Sequence, residues 1–179
     1  MAVTVPWPAI GSFVAGVISL FFLRYLWPYR NEKGANYFIG VIGCVTLWTV
    51  SYGIALLVFE PTLRFAFEIP IWLGINGIAV FFLAFAFEYT GRTQAVTSTL
   101  MGGLVAVQLL STALVATNPY HGLVWSEYSI DPVAGVAGVA VTNEPLLFAI
   151  LLVTGMITTA GVVLLADAFA SYGPLYRYQ

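Results

Sequence analysis

Histidine occurs once in the 179 residues, as His121; lysine occurs once, as Lys33, and cysteine once, as Cys44. Each scarcity excludes a chemistry. A b-type haem held between helices needs paired histidines within the membrane as axial ligands, and there is no second histidine. A retinal Schiff base needs a lysine in a helix, whereas Lys33 stands in the polar stretch PYRNEKGAN. A zinc site needs three or four converging Cys, His or carboxylate ligands. His121 with Glu127, Asp131 and Glu144 is the one set that could assemble, and its spacing matches no metal motif. Neither a metal nor a cofactor is therefore expected. A lone cysteine forms no internal disulfide. No nucleophile and base are paired in the apolar runs, so membrane-embedded proteolysis has no machinery. Charge is scarce as well: 8% of residues, against about 25% in soluble proteins. Six scattered bases make no basic patch, which argues against a nucleic-acid partner.

What fills the chain is apolar: 60% hydrophobic residues and a mean hydropathy of +0.94. Five runs are long enough to cross a bilayer, which takes about 20 helical residues. They are Ala9 to Trp27, Tyr37 to Phe59, Ile69 to Tyr89, Val96 to Thr117 and Leu146 to Phe169. None alternates as barrel strands do. The sequence predicts one all-α transmembrane domain over residues 1–179, a bundle of five helices in the cell membrane with the lipid bilayer as its first partner. The breaks carry turn chemistry. Glu60-Pro61 ends the second run, Gly91 suits a helix C′ position, and Asn118-Pro119 ends the fourth. Asn143 is the expected N-cap of the fifth helix, with Glu144 and Pro145 in its first turn.

Arg24, Arg30, Lys33, Arg92 and Arg177 fall on one side of this arrangement and Arg64 alone on the other. The positive-inside rule then puts the N-terminus outside and the C-terminus in the cytoplasm. Met1 to Pro8 has no basic region, so the first helix is not expected to be a cleaved signal. The Asn118–Glu144 connection is external and longer than ordinary loops. Its aromatic and branched segment Leu123 to Ile130, the turn signal Asp131-Pro132 and the β-tolerant VAGVAGVAV predict a short hairpin over the helix ends.

Polar groups within the helices are few. Asn76, in GINGIAV, needs a partner on another helix and is a candidate packing residue. Glu88 precedes Arg92 by four residues and should pair with it. Asp167 is expected to pair with Arg92 or Arg24, or to reach water, and Arg24 can snorkel to headgroups. Trp7, Trp27, Tyr29, Tyr89 and Tyr172 fit an aromatic belt. Ser12/Gly16 and Gly40/Cys44 have the spacing of close helix contacts. His121, next to a helix end, can either hydrogen-bond its loop or titrate near pH ~6.5 as an acidity sensor.

Three phrases stand in order: WLGINGIAVFFLAFAFEYTGR at Trp72–Arg92, TNPYHGLVWSEYSIDP at Thr117–Pro132, and GPLYRYQ at Gly173–Gln179. Together they resemble the N-terminal seven-transmembrane sensor region of membrane histidine kinases, especially those of halophilic archaea. The resemblance covers nearly the whole chain. It implies an input module with an external N-terminus. It also implies that Asn118, His121 and Trp125 match the family's loop motif, and that Glu88, Tyr89, Thr90, Gly91 and Arg92 match its third-helix end. In that family a phrase like LYRYQ precedes two further helices. The expectation is therefore a sensor module truncated after its fifth helix, with no kinase core, no phosphoacceptor histidine and no catalytic residues, hence not an enzyme. Helices six and seven would cover part of such a bundle. Asn76, Gly155, Thr158, Thr159 and Gly161 are then candidates for surface left facing lipid. The implied partner is a second copy, or a protein supplying the missing helices or kinase. The alternative is a structural or assembly membrane subunit with no signal of its own.

Overall fold

A computed structural model describes residues 5–171. Its order is α1 (Trp7–Leu26), α2 (Ala35–Ala55), α3 (Pro61–Ala66), α4 (Glu68–Tyr89), α5 (Ser98–Ala116), α6 (Asn118–His121), β1 (Trp125–Val133), β2 (Val136–Asn143) and α7 (Pro145–Ser171). Five spans are long and apolar enough to cross a membrane, with α3 and α4 together forming the third. The fold is thus an all-α membrane bundle carrying one small hairpin. Tyr172, Arg177 and the phrase GPLYRYQ lie outside the described residues.

Prolines mark where helices begin. Pro8, Pro61, Pro70, Pro119 and Pro145 all sit in first turns, where a missing N–H costs nothing because no carbonyl precedes it. Glu60 adds a side-chain cap to α3, accepting from the N–H groups of Thr62 (3.0 Å) and Leu63 (2.5 Å). Those two bonds hold its carboxyl below the usual range. This cap creates a helix that hydropathy does not reveal. It also accompanies the early end of α2, which stops at Ala55 rather than at the expected Phe59. Leu57 and Val58 turn back on Ile54 and Ala55, and the Leu56 carbonyl accepts from Ala137 of the hairpin at 2.7 Å.

The hub is α4: α2, α5 and α7 pack on it, and α1 packs on α2. Small residues permit this. A Cβ on Gly74 would lie 2.8 Å from the Cys44 carbonyl, one on Gly77 2.6 Å from Cys44 Sγ, and one on Gly40 2.5 Å from the Phe81 ring. Gly16 meets Val50 in the same way between α1 and α2, while Ser12 only bonds its own helix at Pro8. Gly161 packs on Phe82, so it does not face lipid as the sequence suggested, whereas Gly155 and Thr159 are exposed. Trp7, Trp27, Tyr29 and Tyr89 are all more than half exposed. Aromatic rings at these helix ends suit the bilayer interface.

The hairpin pairs antiparallel from Trp125↔Asn143 to Val133↔Val136, with an irregularity at Ser126. Its turn is Ala134-Gly135, both at positive φ (51° and 78°), as a two-residue primed turn requires. Asp131-Pro132, expected as the turn, instead lies within β1 opposite Gly138 and Ala137. Asn143, expected to cap α7, ends β2, and α7 starts at Pro145. In both cases strand pairing outweighs a local turn or cap preference.

Candidate functional site

The sequence motifs occupy three levels of the bundle and are not brought together. At the hairpin end, Asn118 opens α6 and is 4% exposed. Its Oδ1 accepts from the N–H groups of Val124 (2.9 Å) and Trp125 (3.1 Å), and its Nδ2 donates to the Trp125 carbonyl (2.9 Å). One amide thereby pins the start of β1 to the end of α5. Gly122 at φ 61° makes the reversal between them. His121 braces the same turn. Its Nδ1 accepts from Leu123 N–H at 3.0 Å, so that nitrogen carries no proton and the ring hydrogen sits on Nε2, 3.1 Å from Thr117 Oγ1. The Thr117 hydroxyl in turn donates to Ala113. A proton on Nδ1 would remove the acceptor that Leu123 uses.

Trp125 is buried and heads an aromatic ladder. Trp72 of α4 lies 6.1 Å from it between ring centroids, Tyr128 lies 6.0 Å away on the other side, and Phe65 of α3 stands edge-on to Tyr128 at 5.2 Å. Beside this ladder is the most heavily bonded charge among the described residues. Arg64 is 3% exposed. Its guanidinium donates to Glu68 at 2.7 Å, to the Ala137 carbonyl at 3.4 Å and to the Tyr128 hydroxyl at 3.4 Å. Tyr128 also donates to Glu68 at 3.4 Å. Burial, reinforced by the Glu68 carboxylate, pushes the Tyr128 hydroxyl above the usual phenol range, so it remains a donor. Helix α3, helix α4 and both strands thus share one ionic knot. Sequence reasoning missed it, treating Arg64 only as the odd base on its side. The available signal was their spacing of four residues, which places them on one helical face.

Midway along α4, Asn76 is 1% exposed. Its Nδ2 donates to Thr112 Oγ1 (3.0 Å) and the Gln108 carbonyl (3.3 Å), and its Oδ1 accepts from Thr154 Oγ1 (3.2 Å). It therefore ties α4 to α5 and α7 and does not face lipid. Thr154 also lies 3.3 Å from Gln108 Oε1, while Gln108 Nε2 has no partner. One hydroxyl hydrogen serves one acceptor well. With the Gln108 amide turned over, Nε2 donates to Thr154, and the Thr154 hydrogen is left for Asn76.

At the far end of α4, the phrase FEYTGR is a helix stop. Gly91, at φ 78°, donates to Glu88 (3.1 Å), and Arg92 donates its N–H to Phe87 (2.8 Å). That is the Schellman pattern, which requires a left-handed residue at C′. Thr90 caps its own turn through Ala86 (2.8 Å), and the Tyr89 ring lies 5.4 Å from Phe85. The reversal carries Arg92 off the helical path, so it does not pair with Glu88 as expected. It reaches Asp167 of α7 at 2.5 Å, the other expected pairing.

A hollow of about 420 Å³ opens between α3, α6 and β1, with Phe65, Trp125 and Tyr128 as aromatic walls and Thr62, His121 and Ser126 as polar ones. Among the described residues, no three His, Cys, Asp or Glu side chains gather to hold a metal ion. The geometry is that of a shaped cap bonded to a helical shaft, suited to binding and transmission. The family model for the N-terminal 7TM region of histidine kinase matches residues 12–179. No curated protein and no solved structure gives a match to the chain.

Proposed function

We propose that this chain, which belongs to the family of the N-terminal 7TM region of histidine kinase, receives a stimulus at the hairpin end and passes it along α4 to the opposite side of the membrane. Family membership makes it the sensor part of a histidine-kinase system. The hairpin lies outside, the C-terminus is cytoplasmic, and the hollow beside His121 and Trp125 is the input site. The basic side chains Arg24, Arg30, Lys33 and Arg92 support that orientation.

The observation that carries the reading is the ionic knot. Arg64 bonds the hairpin at Ala137 and Tyr128 and simultaneously bonds Glu68, the first residue of α4. A shift of the hairpin therefore acts directly on the helix that packs against α2, α5 and α7. The output partner is a histidine kinase core, and further helices or a second copy complete the bundle along the exposed face of α7 around Gly155 and Thr159.

The test joins a kinase core after Gln179 and measures autophosphorylation in native membranes. Trp125→Ala and Arg64→Met should each change the basal rate by several-fold, while Val163→Ala on the lipid-facing side of α7 should not. Equal rates in all four proteins would favour a structural subunit with no input role. Labelling of a cysteine placed at Ser129 by a membrane-impermeant thiol reagent checks the orientation in the same cells.

A further inference from the structure

We infer that the aromatic elbow closing the first span is a binding site for the phosphate headgroup of an anionic phospholipid. The inference needs only that the chain lies in a bilayer and does not depend on the direction of signalling. The last turn of α1 and the 3-10 turn that follows it form a shallow groove of about 280 Å³, lined by Phe21, Arg24, Tyr25, Pro28 and Tyr29. These positions recur at helical spacing and so share one face. That face points away from the bundle: Phe21 is 73%, Tyr25 60% and Tyr29 52% exposed.

Arg24 is the only charge in the groove, and among the described residues it has no ion pair. The neighbouring Arg30 is already engaged. Its guanidinium stands 5.5 Å from the Trp27 ring centroid and donates to the Trp27 carbonyl at 3.1 Å. An arginine on a lipid-facing wall at the end of a span is costly without an anion or water. At that depth the abundant anion is the lipid phosphate, and the planar guanidinium matches it with two parallel hydrogen bonds. The Tyr25 and Tyr29 hydroxyls, on rings 6.0 Å apart, add donors beside it. Phe21, one turn deeper in the span, offers an acyl chain an apolar surface. The groove holds no carboxylate to receive the ammonium of a zwitterionic headgroup, and Arg30 and Lys33 raise the local positive charge against Glu32 alone. Both features favour a lipid with net negative charge.

The test is native mass spectrometry of the full chain released from bilayer discs of equal phosphatidylglycerol and phosphatidylcholine. Wild type should retain phosphatidylglycerol about fivefold over phosphatidylcholine, the factor expected of one basic side chain at an anionic surface. Arg24→Gln should abolish the preference, Arg24→Lys should restore part of it, and Arg30→Gln, which removes only background charge beside the groove, should weaken it far less than Arg24→Gln does. Circular dichroism confirms that each variant keeps its helices. A preference that survives Arg24→Gln, or its absence in wild type, overturns the proposal. Loss of the retained lipid on adding millimolar inorganic phosphate would show a site for free anions, and would overturn it too.

Discussion

Arg64 and Glu68 meet at 2.7 Å with side chains 4% and 12% exposed, at the hairpin end of α4; Arg92 and Asp167 meet at 2.5 Å with side chains 45% and 57% exposed, at the other end. The chemistry is the same, and the sequence separations point the wrong way. The first pair is local, four residues apart on consecutive helical turns, yet it is sealed by the hairpin. The second joins α7 to the end of α4 across 75 residues, yet it stands in the open. Burial, not chain separation, decides what each is worth. Removing one partner of a buried pair strands the other charge at a cost of about 3–5 kcal/mol. An exposed pair contributes about 0–1 kcal/mol. One end of the molecule is therefore a fixed joint and the other a loose latch, an asymmetry that the proposed input at the hairpin end would use.

The sharpest way to break this comparison is Arg64→Met. It leaves the largely enclosed Glu68 carboxylate without its cation and with only the Tyr128 hydroxyl at 3.4 Å, and the variant should lose about 3–5 kcal/mol in reversible unfolding in mild detergent. Adding Glu68→Leu should recover much of that loss, since a buried apolar pair is tolerated where a lone charge is not. A single variant as stable as wild type would mean that the joint is not a joint.

Asn118→Ala tests whether the hairpin end owes its rigidity to the knot alone. The substitution orphans the Val124 and Trp125 N–H groups, and each unsatisfied buried group costs about 1–3 kcal/mol. Amide exchange at Val124 and Trp125 should accelerate at least tenfold while α4 amides stay protected. Unchanged protection there would move the whole burden onto Arg64.

Arg92→Gln probes the other end. Stability should fall by less than about 1 kcal/mol, and the difference from wild type should vanish in molar salt. A loss as large as that of Arg64→Met would erase the asymmetry.

The smallest effect belongs to Glu60, a fully exposed carboxylate. Its folded-state pKa lies below the unfolded one, so its contribution is complete above the ordinary carboxylate range and fades as pH falls through the lowered value. Helix α3 should therefore loosen as pH falls below the ordinary carboxylate range, read by amide exchange at Thr62 and Leu63, and Glu60→Gln should flatten that dependence. Identical acid profiles for the two proteins would remove Glu60 as its cause.

Much of the fold is legible in the residues because it is set locally. A run of about 20 apolar residues has one way to satisfy its backbone in lipid, which is a helix, so all five spans are visible. The β-branched and aromatic segment after Gly122 reads as a strand for similarly local reasons. Its turn does not, because Asp131-Pro132 is a strong turn dipeptide and only the register from Trp125↔Asn143 to Val133↔Val136 puts the reversal at Ala134-Gly135. Around the hollow, Asn118, His121 and Trp125 were picked out in the sequence through their match to the loop motif of the family it resembles. Arg64, Glu68, Gln108, Thr112 and Thr154 were not, since each looks ordinary until its partner from another helix or strand arrives.

By itself the sequence determined the spans, their sidedness bias and the local stops: Glu60-Pro61 closing the second run, Pro145 in the first turn of the last helix, Gly91 as a left-handed terminator. These depend on contacts within a turn or two, which neighbouring residues encode directly. The tertiary structure alone decided the partners. Gly91 turns Arg92 off the path that Glu88 would need, so the arginine goes to Asp167 instead. The hairpin folds over Arg64 and converts an i,i+4 pair into a buried joint. Asn76 finds α5 and α7 at once because both helices pack on α4. Such pairings depend on which surfaces the packing removes from water or lipid, and that is a property of the assembled helices and strands together.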